Sequence, residues 1–184
     1  MRKIFVLVCV VVIILFMIGC SKNAPIAPVF PTPTPTEVVT PMVESFNVTL
    51  SSASPAPANI LEGQSGVEFV RFVLTNSTNS AVTVTNLSVR REGTSTDSSL
   101  TRLYLFDNGI NIAECNTISS GIASFYSSSG IITISPGLSV TITVKADVAT
   151  GTSDQTIFLS LQGITANFQP SPAYPLSGSV MTIQ

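Results

Sequence analysis

The chain has 184 residues, 8 of them basic and 10 acidic, with a formal charge of −2 and neither histidine nor tryptophan. Without histidine there is no imidazole base, no imidazole metal ligand and no Ser-His or Cys-His nucleophile pair. A mildly acidic chain with no basic cluster is a poor partner for nucleic acid.

The N-terminus opens with Arg2 and Lys3, followed by an unbroken apolar run from Ile4 to Ile18. That run has the length of a signal-peptide hydrophobic region and is short of the ~20 residues a spanning helix needs. It ends in Met17-Ile18-Gly19-Cys20, which resembles the bacterial lipobox, with Met17 in place of the commoner leucine. The resemblance implies cleavage between Gly19 and Cys20, a diacylglycerol on the Cys20 thiol and acylation of its freed amine. The alternative is an uncleaved anchor, or an ordinary signal followed by an ordinary thiol. Several acyl chains on one residue hold firmly, since each buried CH₂ contributes roughly 0.8 kcal/mol. Ser21 carries no acidic retention signal, so the resemblance implies the outer membrane or cell surface, or otherwise the outer face of the cytoplasmic membrane.

Loss of Arg2 and Lys3 with the leader makes the mature chain more acidic still. Ser, Thr and Asn then do most of the solvating. Cys9 leaves with the leader and Cys20 is spoken for by lipid, so Cys115 stands alone. It reads as a small buried hydrophobe on a strand rather than a reactive or intermolecular thiol. With no intramolecular disulfide, the core has to hold the fold.

Residues 20–42 form the lipidated cysteine and a linker with proline at 25, 28, 31, 33, 35 and 41. Each proline fixes φ and disfavours helix in the residue before it. The segment is expected to be disordered and extended, a spacer of ~3.1 Å per residue. Its Thr-Pro alternation resembles stalks that become O-glycosylated.

Residues 43–184 are expected to be one domain built on a two-residue period. "SFNVTLS" places Phe46, Val48 and Leu50 on one face. "VEFVRFVLTN" places Val70, Phe72 and Leu74 on one face, with Phe69 and Val73 on the other. "AVTVTNLSVRR" alternates through Val82 and Val84, then slips by one to Leu87 and Val89, which predicts a β-bulge. "LTRLYLFDNGINIAEC" is a hairpin about Asp107-Asn108-Gly109, since Asn-Gly supplies the positive φ angles of a tight turn. "GIITIS" and "LSVTITVKAD" flank a turn at Pro136-Gly137. "QTIFLSLQGI" sets Ile157, Leu159 and Leu161 together, and "SVMTIQ" is the last strand. Many short strands with closely spaced turns indicate an all-β, antiparallel sandwich or barrel.

The pieces "GVEFVRFVLTN", "RLYLFDNG", "SPGLSVTITVKADVA" and "IFLSLQGITA" resemble an Ig-like β-sandwich module of bacterial surface and envelope proteins. The fold expectation is therefore an antiparallel Ig-like sandwich after a signal helix and a Pro/Thr linker. No site is carried over with the resemblance, because fold alone licenses no chemistry.

Candidate sites are few. The domain's carboxylates Glu62, Glu68, Asp97, Asp107, Glu114, Asp147 and Asp154 stand beside turns or at strand ends, and the chain is read as non-catalytic. Asp97 and Asp107 are the candidates for calcium, on the view that their two loops flank one strand. No Asp-x-Asp-x-Asp cluster accompanies them, and Asp107 has a sufficient task in the hairpin turn. No cofactor is expected beyond the covalent lipid at Cys20. Tyr104 and Phe106 share a strand face and are candidates for binding, with Phe125-Tyr126 expected on the next strand; the ordinary reading of all four is core and sheet-surface packing. Arg71, Arg90, Arg91 and Arg102 are strand residues that read as solvated decoration, with a shared sheet face for an acidic polymer as the alternative. The reading is a lipid-anchored envelope protein whose sandwich is structural, adhesive or partner-binding. Its partners are the membrane and an envelope protein or polysaccharide. A carbohydrate-binding module, or a subunit of an envelope, secretion or surface-layer assembly, is the alternative.

Overall fold

Alternating Val, Ile, Thr and Phe favour a pleated, half-buried surface, and twelve strands form among the described residues. These are residues 43–171 and 174–184 of a computed structural model; the signal segment, Gly19, Cys20 and the linker lie outside them. The strands are β1 (Phe46–Leu50), β2 (Ala58–Ile60), β3 (Val67–Asn76), β4 (Val82–Glu92), β5 (Leu100–Asp107), β6 (Ile110–Cys115), β7 (Ile122–Tyr126), β8 (Ile132–Ile134), β9 (Ser139–Val148), β10 (Thr156–Ala166), β11 (Leu176–Ser177) and β12 (Met181–Ile183). One sheet runs β1-β3-β9-β5-β6. The other runs β2-β12-β10-β4-β7, with β11 paired to β10 and β8 to β4. The pairings are antiparallel except β2 with β12, which run parallel. The fold is an all-β sandwich, as expected.

Its core is one cluster drawn from the inner faces of both sheets. Phe46, Phe69, Phe72 and Phe125 are among its largest fully buried side chains, with Leu103, Leu105, Ile157, Leu159 and Leu161. The predicted slip in β4 is a bulge: Asn86 faces Thr165 and Val84 faces Ala166, which leaves Thr85 unopposed. A second bulge overturns an expectation. Glu68 faces Lys145 and Val70 faces Val144, so Phe69 is the extra residue. A bulge turns consecutive side chains to one side, and Phe69 is buried with Val70 instead of lying opposite it. Leu50, expected inside with Phe46 and Val48, sits at the end of β1 and is 43% exposed.

The β5–β6 hairpin turns on Asn108 (φ 47°) and Gly109 (φ 82°), both positive as a tight primed turn demands. The turn at Pro136-Gly137 joins β8 in one sheet to β9 in the other. It is a crossover between layers. Cys115 faces Leu103 across the hairpin and packs half-buried against the core, its sulfur 3.1 Å from the Thr117 carbonyl.

Candidate functional site

The outer face of the β1-β3-β9-β5-β6 sheet collects the chain's unusual side chains. Along β9, Thr141, Thr143, Lys145 and Asp147 alternate with the buried Ile142, Val144 and Ala146. Along β5, Arg102, Tyr104 and Phe106 alternate with the buried Leu103 and Leu105. Register then builds rows across the strands, since directly opposed residues share a face. Glu68, Lys145, Tyr104 and Glu114 make one row, and Arg71, Thr143, Phe106 and Asn111 the next.

Contacts within this face fix its side chains. The Tyr104 and Phe106 rings lie 6.2 Å apart and tilted by 58°. The Tyr104 hydroxyl donates to Asp147 Oδ2 at 2.6 Å, and Asp147 Oδ1 accepts from the Gly66 amide at 2.8 Å. The bond to Asp147 holds the Tyr104 phenol above its ordinary range. Lys145 Nζ stands 4.9 Å from the Phe106 ring centre, and the Arg102 guanidinium 6.0 Å from that of Tyr104. The aromatic pair is thus attended by cations, an arrangement that hinders stacking of a sugar ring on the ring face that each cation covers. Arg71 forks onto Glu68 through Nε and Nη2, while Arg102 and Glu114, both widely exposed, approach only to 3.9 Å. Exposed pairs of that kind contribute little.

A groove of about 360 Å³ crosses this face between Ser51 and Ala53 on one side and the Asn108-Gly109 turn on the other. Glu68, Arg71, Phe106, Thr141, Thr143 and Lys145 line it. Sequence reading singled out Tyr104, Phe106, Arg71 and Arg102 but missed Lys145, Thr141 and Thr143. The signal was present in "VTITVKAD", whose alternation sets the polar residues opposite the core residues.

Three expectations need correction. The four arginines do not share a face: Arg71 and Arg102 belong to the five-stranded sheet, whereas Arg90 and Arg91 lie on β4 in the other. Arg90 is exposed there. Arg91 turns toward the sandwich end and pairs with Asp97 at 3.0 Å. Nor do Asp97 and Asp107 meet, since they flank opposite ends of the eight-residue β5, a span of roughly 25 Å at ~3.3 Å per residue. Asp107 Oδ1 is buried without a hydrogen-bond partner among the described residues. Phe125 is buried and Tyr126 is 72% exposed, but both lie on β7 in the second sheet, away from Tyr104 and Phe106. Among the described residues, no group of three or more His, Cys, Asp or Glu side chains gathers.

Asp97 has a structural partner set instead. Its carboxylate accepts from the Gly121 amide at 3.1 Å and from Arg91 Nε and Nη2 at 3.1 and 3.0 Å. Arg91 also donates to the Ser95 carbonyl and hydroxyl. The Gly121 bond foremost, with Arg91 behind it, holds the Asp97 carboxyl below the ordinary aspartate range. A depressed carboxylate stabilises the fold above its unfolded pKa, roughly 3.9, and that contribution fades as pH falls through the folded value. The stability difference between wild type and Asp97→Asn is therefore expected to be constant from pH 7 to about 5 and to shrink below pH 4. Urea unfolding at stepped pH measures it, and a difference that persists at pH 2 contradicts the assignment.

Glu62 serves similarly, accepting from the Ser153 hydroxyl and the Gly151 and Thr152 amides. These bonds, Ser153's first, hold its carboxyl low.

No protein-family model matches the chain, and no curated protein matches it. Solved structures do. The chain is similar to AvmM, which catalyses macrocyclization in alchivemycin A biosynthesis, at 12% identity and a TM-score of 0.35 over 71% of this chain and 92% of that one. It is similar to a family 123 glycoside hydrolase from Clostridium perfringens at 12% identity and a TM-score of 0.41, over 76% of this chain but only 27% of the hydrolase. It is also similar to the seventh ScaB type I cohesin from Pseudobacteroides cellulosolvens, at 15% identity and a TM-score of 0.32 over 76% and 92% of the two chains.

Proposed function

We propose that this chain is a lipid-anchored bacterial envelope protein whose sandwich is a non-catalytic contact module. In this reading Cys20 carries the lipid and residues 21–42 set the reach. The outer face of the β1-β3-β9-β5-β6 sheet meets the partner. The observation that carries the contact role is the groove across that face, where Arg71, Phe106 and Lys145 gather with the Thr141 and Thr143 hydroxyls. Four carboxylates support a non-catalytic reading by their occupations: Glu68 holds Arg71, Asp97 holds Arg91 and Gly121, Asp147 holds Tyr104 and Gly66, and Glu62 holds the turn at 151–153.

The edges of this sheet, β1 and β6, are weaker contact routes. The outer side of β1 is bridged by Pro170, and the Ser171 amide donates to the Phe46 carbonyl. Edge β6 bulges at Ile112, which faces no residue between Phe106–Asn111 and Leu105–Ala113. Both devices blunt strand addition.

Full-length protein expressed in a lipoprotein-processing bacterium tests the anchor. Intact-mass spectrometry should find a mature chain that begins at Cys20 and carries acyl chains, and Cys20→Ser should yield none. A mature Cys20 without lipid overturns the anchor. A photo-crosslinker at Thr143 tests the face against one at Ser124, on β7 of the opposite sheet. Adducts from Thr143 alone are expected, and adducts from Ser124 alone relocate the contact.

A further inference from the structure

Resting on that contact face, we propose that the groove binds an acidic polysaccharide, with Lys145 as the anchor for its carboxylate. The charges point to an anion. Glu68 is engaged by the Arg71 fork, although register places it directly opposite Lys145. Lys145 makes no ion pair among the described residues; its ammonium is held instead over the Phe106 ring. An ammonium has three donors and a carboxylate is its complement.

The lining points to a hydroxylated ligand. Thr141, Thr143 and Ser51 bring hydroxyls and Asn108 an amide, groups that both donate and accept as sugar hydroxyls do. An acidic peptide fits less well. Peptides win affinity by adding to an edge, by filling apolar pockets or, for acidic motifs, by meeting a cluster of arginines, and the one arginine of the groove among the described residues, Arg71, is engaged by Glu68. The groove instead crosses the face of a sheet whose backbone groups are already paired in the β3–β9–β5 ladders. Phe106 and Ala53 are its apolar side chains, and Lys145 stands over the Phe106 ring. Neutral glycans that stack on aromatic faces are disfavoured for that reason. The ligand is thus read by its charge and its hydroxyls together.

The test uses the full-length chain in a non-ionic detergent and three polymers: polygalacturonate, its fully methyl-esterified form, and polyglutamate. The ester keeps the sugar and removes the charge, whereas polyglutamate keeps the charge and removes the sugar. Polygalacturonate is expected to bind, more weakly as salt rises, with the other two at least about tenfold weaker. Lys145→Ala should weaken polygalacturonate binding about tenfold, the size of one charge-assisted contact. Lys145→Gln, which keeps the stem over Phe106, should do the same with an unchanged circular dichroism spectrum. Arg90→Ala removes one cation from the opposite sheet and should change nothing. Equal binding of the ester overturns the charge requirement, and equal binding of polyglutamate overturns the saccharide in favour of an acidic protein segment. Unchanged binding by both Lys145 variants removes the groove as the site. Failure of all three polymers, with Thr143 crosslinks still forming, overturns the ligand class and leaves the contact face standing.

Discussion

Replacing Asn76 by alanine is expected to lower the unfolding free energy by about 3 to 5 kcal/mol. Asn76 ends β3, is fully buried and uses both ends of its amide. Nδ2 donates to the Ser80 and Ile134 carbonyls, each at 2.8 Å, and Oδ1 accepts from the Thr78 amide and hydroxyl at 2.9 and 2.8 Å. Ile134 belongs to β8 in the opposite sheet, so this one side chain spans the two layers and the β3–β4 connection. Alanine leaves the Thr78 amide and the Ile134 carbonyl without these bonds in a place where water is scarce. Each such group costs about 1–3 kcal/mol. The single proton of the Thr78 hydroxyl can go to the Ser80 carbonyl instead, which lies 2.7 Å from Oγ1, and this limits the loss. Asn76→Asp is the sharper probe. It removes both donations and buries a carboxylate facing carbonyls, so its folded pKa rises. Native protein then binds the proton more tightly than unfolded chain, and the deficit relative to wild type should shrink as pH falls below that raised value. Denaturant unfolding at pH 7 and pH 4 reads both effects. An Asn76→Ala deficit under 1 kcal/mol would show that the network is rebuilt without the amide.

Local periodicity made much of this architecture readable. Ile157, Leu159 and Leu161 fall on one face by alternation alone, the slip after Val84 announced the Thr85 bulge, and Asn108-Gly109 announced its turn. Each signal is local, because a side chain's face and a turn's φ angles are set by a few neighbouring residues. Sheet membership is not local. Pro136-Gly137 reads like a hairpin turn but carries the chain from one layer to the other, and the β3–β4 connection likewise changes sheet, so the strands holding Arg71 and Arg90 separate where sequence reading allowed them one face. The Phe69 bulge was equally silent, because "FV" in a strand is apolar whichever way Phe69 turns. On the sheet face that carries the groove, Tyr104 and Phe106 were visible as aromatics sharing one strand face. Lys145 was not, since a single lysine on a strand looks like ordinary solvation. Its meaning arises only when β9 lies between β3 and β5 and sets Lys145 beside Phe106 while Arg71 draws Glu68 away.

Gly93→Ala should be among the most damaging single-methyl changes in the domain, on the order of 3–5 kcal/mol. Gly93 follows β4 with φ 105°, a backbone conformation other residues rarely adopt. Its flat side lies against the first residue of β10. A methyl group there would stand 2.3 Å from the Thr156 carbonyl oxygen and 2.8 Å from its carbon. Both are backbone atoms, so no rotamer change relieves the contact. The surroundings resist retreat as well. The Ser95 amide donates to that same Thr156 carbonyl at 3.1 Å, and the Thr156 amide donates to Thr94 Oγ1 at 2.8 Å. Arg91 holds Ser95 from the other side while engaging Asp97. Moving the 93–95 turn outward would therefore also loosen the Arg91–Asp97 clasp. Gly66→Ala is the control: φ is 66° and a methyl there meets nothing within 4 Å, so only the backbone penalty of about 1–2 kcal/mol remains. Comparing the two by urea unfolding separates steric exclusion from conformational preference. Equal losses would mean that the turn shifts freely and that the close approach of Gly93 to Thr156 is dispensable.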